Sequence, residues 1–115
     1  MTVWAVVVAA GRSSRFGRPK QYDRLRDRRV LDWSLAAARA SCDGVVAVVP
    51  SERASADEPA ADAVVAGADT RSGSVRAGLA VVPVDAEVVV VHDAARPLAT
   101  VSMFRSAIAA GTAAI

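Results

Sequence analysis

Residues 3–11 read VWAVVVAAG, a run of small and branched apolar side chains that ends at a glycine. Apolar character that is continuous rather than alternating is typical of strands buried on both faces, as strands of parallel sheets are. We therefore predict a strand over residues 3–9 and an α/β fold with an open, mostly parallel sheet. Such a sheet carries helices on both faces.

The rest of the chain alternates between strand and helix patterns. Valine-rich runs predict strands over residues 45–49, 63–66 and 87–92, and residues 51–61 form a polar surface stretch. Apolar residues three and four positions apart predict helices over residues 29–41, 74–82 and 100–110, the last behind Thr100 as N-cap. We expect Leu31, Leu35 and Ala38 to face the core from the first helix, and Val75, Leu79 and Val82 from the second.

Length and charge exclude several classes of protein. The chain has 115 residues, enough for one domain at most, and its formal net charge of +2 is not gathered into a basic stripe. We therefore expect no nucleic-acid partner. The single cysteine, Cys42, excludes an intramolecular disulfide, and no basic segment precedes the apolar opening, so we expect a cytoplasmic protein without a membrane partner. The closing AGTAAI looks like the start of another strand, and we expect residues 1–115 to be a fragment of a longer domain.

Three loops follow predicted strands, over residues 10–20, 67–74 and 93–98. The carboxyl ends of parallel strands lie at one edge of the sheet, and ligands of open α/β folds bind at that edge. Each loop is richer in Gly, Ser, Asp or Arg than the elements it joins. Loops are polar in any protein, but three at one edge indicate a ligand site.

The first loop, AAGRSSRFGRPKQY over residues 9–22, suits an oligophosphate. Gly11 lets a ligand approach the main chain, the serines offer hydroxyls, and Arg15, Arg18 and Lys20 then follow as cations. The segment matches neither G-x-G-x-x-G nor G-x-x-x-x-G-K-[ST], which disfavours a dinucleotide site and a P-loop.

Lys20 is the only lysine among fourteen lysine and arginine residues. An ammonium is a compact point charge that sits against one phosphate oxygen, whereas a guanidinium is a planar fork. Pro19 restricts the main chain directly before it. We expect Lys20 to be functional, against the alternative of a solvated surface lysine.

Asp93 follows the last predicted strand and is a candidate Mg²⁺ ligand, because Mg²⁺ binds through one or two carboxylates together with substrate phosphates. The alternatives are an N-cap or a pair with Arg96. His92 points to the other side of the strand and is expected to be structural. In the middle loop, Gly67 allows a close approach, and Asp69 is a hydrogen-bond acceptor.

Taken together, residues 9–22, GADTRSGSVRAGL over residues 67–79 and VHDAARP over residues 91–97 resemble the 2-C-methyl-D-erythritol 4-phosphate cytidylyltransferases of the non-mevalonate isoprenoid pathway. The order and spacing of the motifs match along the whole chain. The resemblance implies a Rossmann-like nucleotidyltransferase domain, of which this chain is the N-terminal, CTP-binding part. It departs from the family at Ala68, where a Gly-Gly pair is usual.

The resemblance also implies a role for each matching residue. Arg15 and Lys20 would be the catalytic pair that binds the triphosphate and stabilises the transition state. The nucleotide would be bound by Ala9, Ala10 and Gly11 in the first loop, by Gly67, Asp69 and Ser74 around the cytosine and ribose, and by Ala94 beside the ribose. Asp93 would bind Mg²⁺.

The implied reaction is in-line attack by methylerythritol phosphate on the α-phosphate of CTP, with release of pyrophosphate. The resemblance further implies a homodimer of the full-length protein, and we expect the 115-residue chain alone to be inactive. Two alternatives stay open: a cytidylyltransferase for another polyol phosphate, such as ribitol 5-phosphate, and a truncated nucleotide-binding module without catalysis.

Overall fold

A computed structural model describes residues 2–11, 20–94 and 100–110. The strands are β1 (Val3–Val8), β2 (Arg24–Leu25), β3 (Arg28–Arg29), β4 (Gly44–Val49), β5 (Ala63–Ala66) and β6 (Val88–Asp93). The helices are α1 (Val30–Ser41), α2 (Arg71–Leu79) and α3 (Val101–Ala110), with short 3₁₀ turns at Lys20–Tyr22 and Ser51–Arg53. Among these, no helix is long and apolar enough to cross a membrane.

Four strands form a parallel sheet in the order β5-β4-β1-β6. The chain builds this sheet outward from β1 to β4 and β5, and then returns to place β6 on the other side of β1. The order therefore reverses between β1 and β6, and this is the position at which open α/β sheets bind ligands. The predicted α/β fold is confirmed.

Helices cover both faces of the sheet, because successive side chains of β1 point to opposite sides. Val3, Ala5 and Val7 share one core cluster with residues of α1 and α3, including Leu31, Leu35, Ala38 and Phe104. Val6 and Val8 belong to a second cluster on the opposite face, where Val75 and Val82 pack at the rim. The inward residues predicted for α1 are confirmed.

Helix α2 was predicted over residues 74–82 but spans Arg71–Leu79, so it differs at both ends. It begins at Arg71 rather than Ser74, because the Thr70 hydroxyl accepts a hydrogen bond from the Gly73 amide at 3.0 Å and caps the helix. The prediction that Leu79 faces the core is wrong, since 43 % of Leu79 is exposed. The face that meets the sheet centres on Ser74 and Gly78 instead, and a Cβ at Gly78 would lie 2.4 Å from Val6 Cγ1.

His92 is a structural residue, as predicted. It is fully buried at the end of β6, and its Nε2 lies 3.0 Å from the Ser34 hydroxyl of α1. Its ring meets the Phe104 ring edge to face, with the centroids 5.3 Å apart. These contacts join β6 to α1 and α3, and so they fix the strand that ends at Asp93.

A short antiparallel hairpin, β2–β3, precedes α1 and was not predicted. Arg29 ends it and begins the helix: its main-chain N–H donates to Asp32, and its guanidinium pairs with Asp32 Oδ1 at 2.6 Å and with Glu58 Oε1 at 2.7 Å. Glu58 is buried, although it lies in the stretch predicted to be surface. The guanidiniums of Arg29 and Arg53 lie over the Tyr22 ring, 5.8 and 3.9 Å from its centroid. This cluster links the Lys20–Tyr22 turn to the fold.

The Arg29 guanidinium lowers the pKa of Asp32 below its usual range, mainly through their hydrogen bond. A carboxyl whose pKa is lower in the folded state stabilises the fold fully above its unfolded pKa of about 3.9, and that stabilisation is lost as the pH falls through the folded value. We therefore predict that Asp32→Asn lowers the free energy of unfolding at pH 6 and that this deficit shrinks steadily below about pH 4. Urea titrations across that range would measure it, and a deficit of constant size would contradict the prediction.

Candidate functional site

A cavity of about 390 Å³ lies at the carboxyl edge of the sheet, where the segments after β1 and β5 meet the end of β6. It is lined by Val8, Ala10, Gly11, Ala68, Asp69, Thr70, Arg71, Ser74 and Asp93. The prediction that the three loops meet at one edge is confirmed for their described residues. The cavity combines main-chain groups, two carboxylates and a guanidinium, and it therefore suits a polar ligand.

The cavity wall depends on the absence of a side chain at Gly67. A Cβ there would lie 2.2 Å from the Ala10 Cβ and 2.8 Å from the Ser74 hydroxyl, far inside van der Waals contact. The sequence predicted that Gly67 allows a close approach to its main chain. In the structure, Ala10 and Ser74 are the residues that approach it. This approach brings the segment after β1, the segment after β5 and helix α2 together.

Ser74 holds the loop between β5 and α2. It is buried, and its hydroxyl accepts from the Ala68 amide at 3.0 Å and donates to the Ala68 carbonyl at 3.3 Å. Ala68 itself lies in the cavity wall without a left-handed main chain, since Arg26 is the one non-glycine residue with positive φ in the described ranges. The contact of Ser74 with a base remains a prediction.

Asp93 is the last residue of β6 rather than the first of the following loop, and it is paired with Val8 of β1. Its carboxylate lines the cavity and lies 3.6 Å from Arg71 Nη1. The alternative partner considered from the sequence, Arg96, lies outside the described residues. Arg71 was missed as a site residue, although it opens the R-S-G-S-V segment of the second motif.

The residues predicted around the first loop are placed differently from one another. Ala10 and Gly11 line the cavity, whereas the Ala9 side chain is buried in the core shared with α1. Arg15 lies outside the described residues, as does the side chain of Lys20.

Ala94, which follows β6, is also buried in the core, and its amide donates to the Val8 carbonyl at 3.0 Å. A contact of Ala94 with a ribose would have to use its main chain.

Gln21 is a further residue that the sequence did not single out. It is 4 % exposed, and its side-chain nitrogen donates to the carbonyls of Ala9 and Gly11, the latter at 2.9 Å. It therefore joins the turn that begins at Lys20 to the end of β1. Its position between a lysine and a tyrosine in a polar loop offered no periodicity that would indicate burial.

The fold and the cavity together define a class: a Rossmann-like α/β protein with a polar cavity where its strand order reverses, the position at which such folds bind ligands. A family model described as "IspD: 2-C-methyl-D-erythritol 4-phosphate cytidylyltransferase" matches residues 3–114. The chain belongs to this family, and the resemblance drawn from its three motifs is confirmed.

Relatives of known name extend this finding. The chain is 41% identical over 114 residues to 2-C-methyl-D-erythritol 4-phosphate cytidylyltransferase of Rhodococcus opacus, covering 93% of this chain and 50% of the relative. It is 42% identical over 111 residues to the enzyme of the same name from Xanthomonas campestris, covering 84% and 41%. The chain thus spans half or less of the length of these curated relatives.

Solved structures share the fold. Rv0371c of Mycobacterium tuberculosis superimposes with a TM-score of 0.82 at 32% identity, covering 96% of this chain and 61% of that one. A second structure of Rv0371c, in complex with manganese, gives a TM-score of 0.74 at 29% identity, covering 96% and 60%. The cytidylyltransferase of Thermus thermophilus gives 0.69 at 31% identity, covering 96% and 47%.

Two glycines at this edge offer a matched test. Gly67→Ala would force its Cβ against Ala10, and we predict a loss of about 1–3 kcal/mol in the free energy of unfolding, the usual cost of overpacking. Gly11→Ala is the control, because a Cβ there has no heavy atom within 4 Å. Urea titrations would measure both variants. Equal stability of the two would contradict the close packing at Gly67.

Proposed function

We propose that this chain is the nucleotide-binding part of a cytidylyltransferase that transfers a cytidylyl group from CTP to 2-C-methyl-D-erythritol 4-phosphate and releases pyrophosphate. The observation that carries the proposal is the polar cavity at the switch point of the sheet, in a chain that matches this family over residues 3–114. The reaction would serve the synthesis of isoprenoid precursors by the non-mevalonate route.

The cavity supports nucleotide binding through groups of different kinds. Ala10 and Gly11 present main chain on one wall, and Asp69 presents a carboxylate on the other, where it would accept hydrogen bonds from an amino group or from ribose hydroxyls. The Gly67 main chain and the Ala68 loop tied to Ser74 would lie beside the cytosine. Ala9 and Ala94 would contribute through their main chains, since both side chains are buried in the core.

Catalysis would rest on positioning and charge, because phosphoryl transfer needs little covalent chemistry from the protein. In the proposed step an oxygen of the acceptor phosphate attacks the α-phosphorus in line, and the bond to the bridging oxygen of pyrophosphate breaks. Arg15 and Lys20 would hold the triphosphate. The Lys20 ammonium would offset the charge that builds on the α-phosphate and the leaving oxygen.

Asp93 is the chain's candidate ligand for Mg²⁺. The described residues contain no group of three His, Cys, Asp or Glu that could hold a metal ion by itself. A single carboxylate beside a phosphate site nevertheless fits Mg²⁺, which completes its coordination with substrate oxygens and water. The manganese complex of the similar protein Rv0371c supports the use of a divalent cation. When bound, the ion would neutralise charge on the phosphates.

Arg71 would complete the site. Its guanidinium lies 3.6 Å from Asp93, and both side chains are partly exposed in the cavity wall. A metal ion at Asp93 would compete with this ion pair, and Arg71 would then be placed to donate to a phosphate oxygen. The contacts to the acceptor and the homodimer of the full-length protein are part of the same proposal.

Pyrophosphate release tests the proposed function most simply. A longer polypeptide that contains this sequence, of the length of the curated relatives, would be supplied with CTP, Mg²⁺ and either methylerythritol phosphate or ribitol 5-phosphate. We predict release with the first acceptor alone. Release with ribitol 5-phosphate alone would keep the chemistry and change the pathway, and no release from a folded protein would favour a nucleotide-binding module.

In the same assay we predict that Lys20→Arg lowers kcat by about 10²-fold, the usual effect of losing one preorganised charge contact. The matched control is Arg105→Lys, which exchanges the same two cations at an exposed position of α3. An unchanged kcat for Lys20→Arg would remove Lys20 from the proposed mechanism.

A further inference from the structure

Gln21 joins the end of β1 to the turn that begins at Lys20. The proposed mechanism needs these two segments at a fixed distance from each other. Its side-chain nitrogen donates one hydrogen to the Ala9 carbonyl and the other to the Gly11 carbonyl. Both partners are acceptors, so the amide nitrogen rather than the oxygen must face them. The side chain is 4 % exposed, and these bonds are made largely out of water.

The two ends of this connection belong to different parts of the site. Gly11 lies in the cavity wall, just beyond β1. Gln21 lies in the 3₁₀ turn Lys20–Tyr22 and directly follows Lys20 in the chain. The hydrogen bonds therefore fix the main chain at Lys20 relative to the wall of the cavity, across a segment of eight residues.

The turn is also held from its other side. The Tyr22 ring lies beneath the guanidinium of Arg53, 3.9 Å from the ring centroid, and packs against the core that contains Ala9. Arg29, 5.8 Å from the same centroid, is itself paired with buried Glu58. With Tyr22 fixed by these contacts, Gln21 determines where the turn meets β1.

We propose that Gln21 is a positioning residue for the transfer reaction: its amide sets the distance between the cavity wall at Gly11 and the main chain that carries Lys20. This inference rests on the proposed function. A reactive charge displaced by about 1 Å can cost as much as 10²-fold in rate, so a residue that holds it in place affects kcat without touching the substrate.

The first experiment asks whether the connection exists in solution, and it needs no activity. In the ligand-free protein, NMR would follow the side-chain NH₂ of Gln21, with the solvated amide of free glutamine as reference. We expect hydrogen exchange at least about 10-fold slower than in free glutamine, since both hydrogens are bonded and buried. Exchange as fast as in free glutamine would overturn the inference.

The second experiment asks whether the connection acts through Lys20. Gln21→Met keeps the length of the side chain and removes both donors, and we expect kcat to fall about 10-fold with little change in the KM for the acceptor. In a Lys20→Ala background the same substitution should change kcat less than about 2-fold, because the charge it positions is gone. Gln21→Asn, with an amide one methylene shorter, serves if Gln21→Met does not fold.

Trp33→Phe is the matched control, because it removes another hydrogen bond from a side-chain nitrogen to a main-chain carbonyl, that of Leu25, away from the cavity. We expect it to leave kcat unchanged in both backgrounds. Fold-changes of Gln21→Met and Lys20→Ala that multiply in the double variant would overturn the positioning role. If the longer polypeptide with the unmodified sequence releases no pyrophosphate, the proposed function is rejected, and with it the positioning role. The NMR measurement would still decide whether the connection exists.

Discussion

The carboxyl edge of the sheet depends on one close contact, that of Ala10 with Gly67, which has no side chain. Any side chain at position 67 would collide with Ala10 and with the Ser74 hydroxyl. The contact lets the segments after β1 and β5 and helix α2 pack together, and the cavity forms among them. The small side chains of α2 extend the same principle along the sheet, where Gly78 lies against Val6.

This packing explains how a chain with few polar residues in its core assembles a polar site. The valine-rich strands carry no chemistry, but parallel pairing delivers their carboxyl ends to one edge. Asp93 reaches the cavity because β6 pairs with β1 residue by residue, Val8 opposite Asp93. His92, one residue earlier, is turned to the other face, where Ser34 and Phe104 hold it.

Sequence patterns predicted the strands and helices well where packing is uniform. Continuous valines identified the buried strands, and the spacing of Leu31, Leu35 and Ala38 identified α1. They failed where contacts distant in sequence decide the outcome. The two-residue strands of the hairpin are too short to show a period, and α2 turns its small residues inward, so that the exposed Leu79 misled the prediction.

The candidate site likewise has features that the sequence predicted and features that it did not. Its loops were predictable because the strand order sends them to one edge, and the motifs within them indicated the family. Gln21 and Arg71 were missed because a buried amide and an ion pair in the cavity wall leave no periodic trace in sequence. Each depends on which distant segment the fold places opposite it.

We propose that the cavity between the segments after β1 and β5 holds CTP, with its metal ion at Asp93. A crystal structure of the protein with CTP and Mn²⁺ would test this directly, because manganese is located by its anomalous scattering. We predict the base beside the Ala68 loop and the metal within about 2.2 Å of an Asp93 oxygen, as expected for carboxylate ligands of such ions. A nucleotide bound elsewhere, or a metal ion remote from Asp93, would contradict the proposed CTP and metal sites.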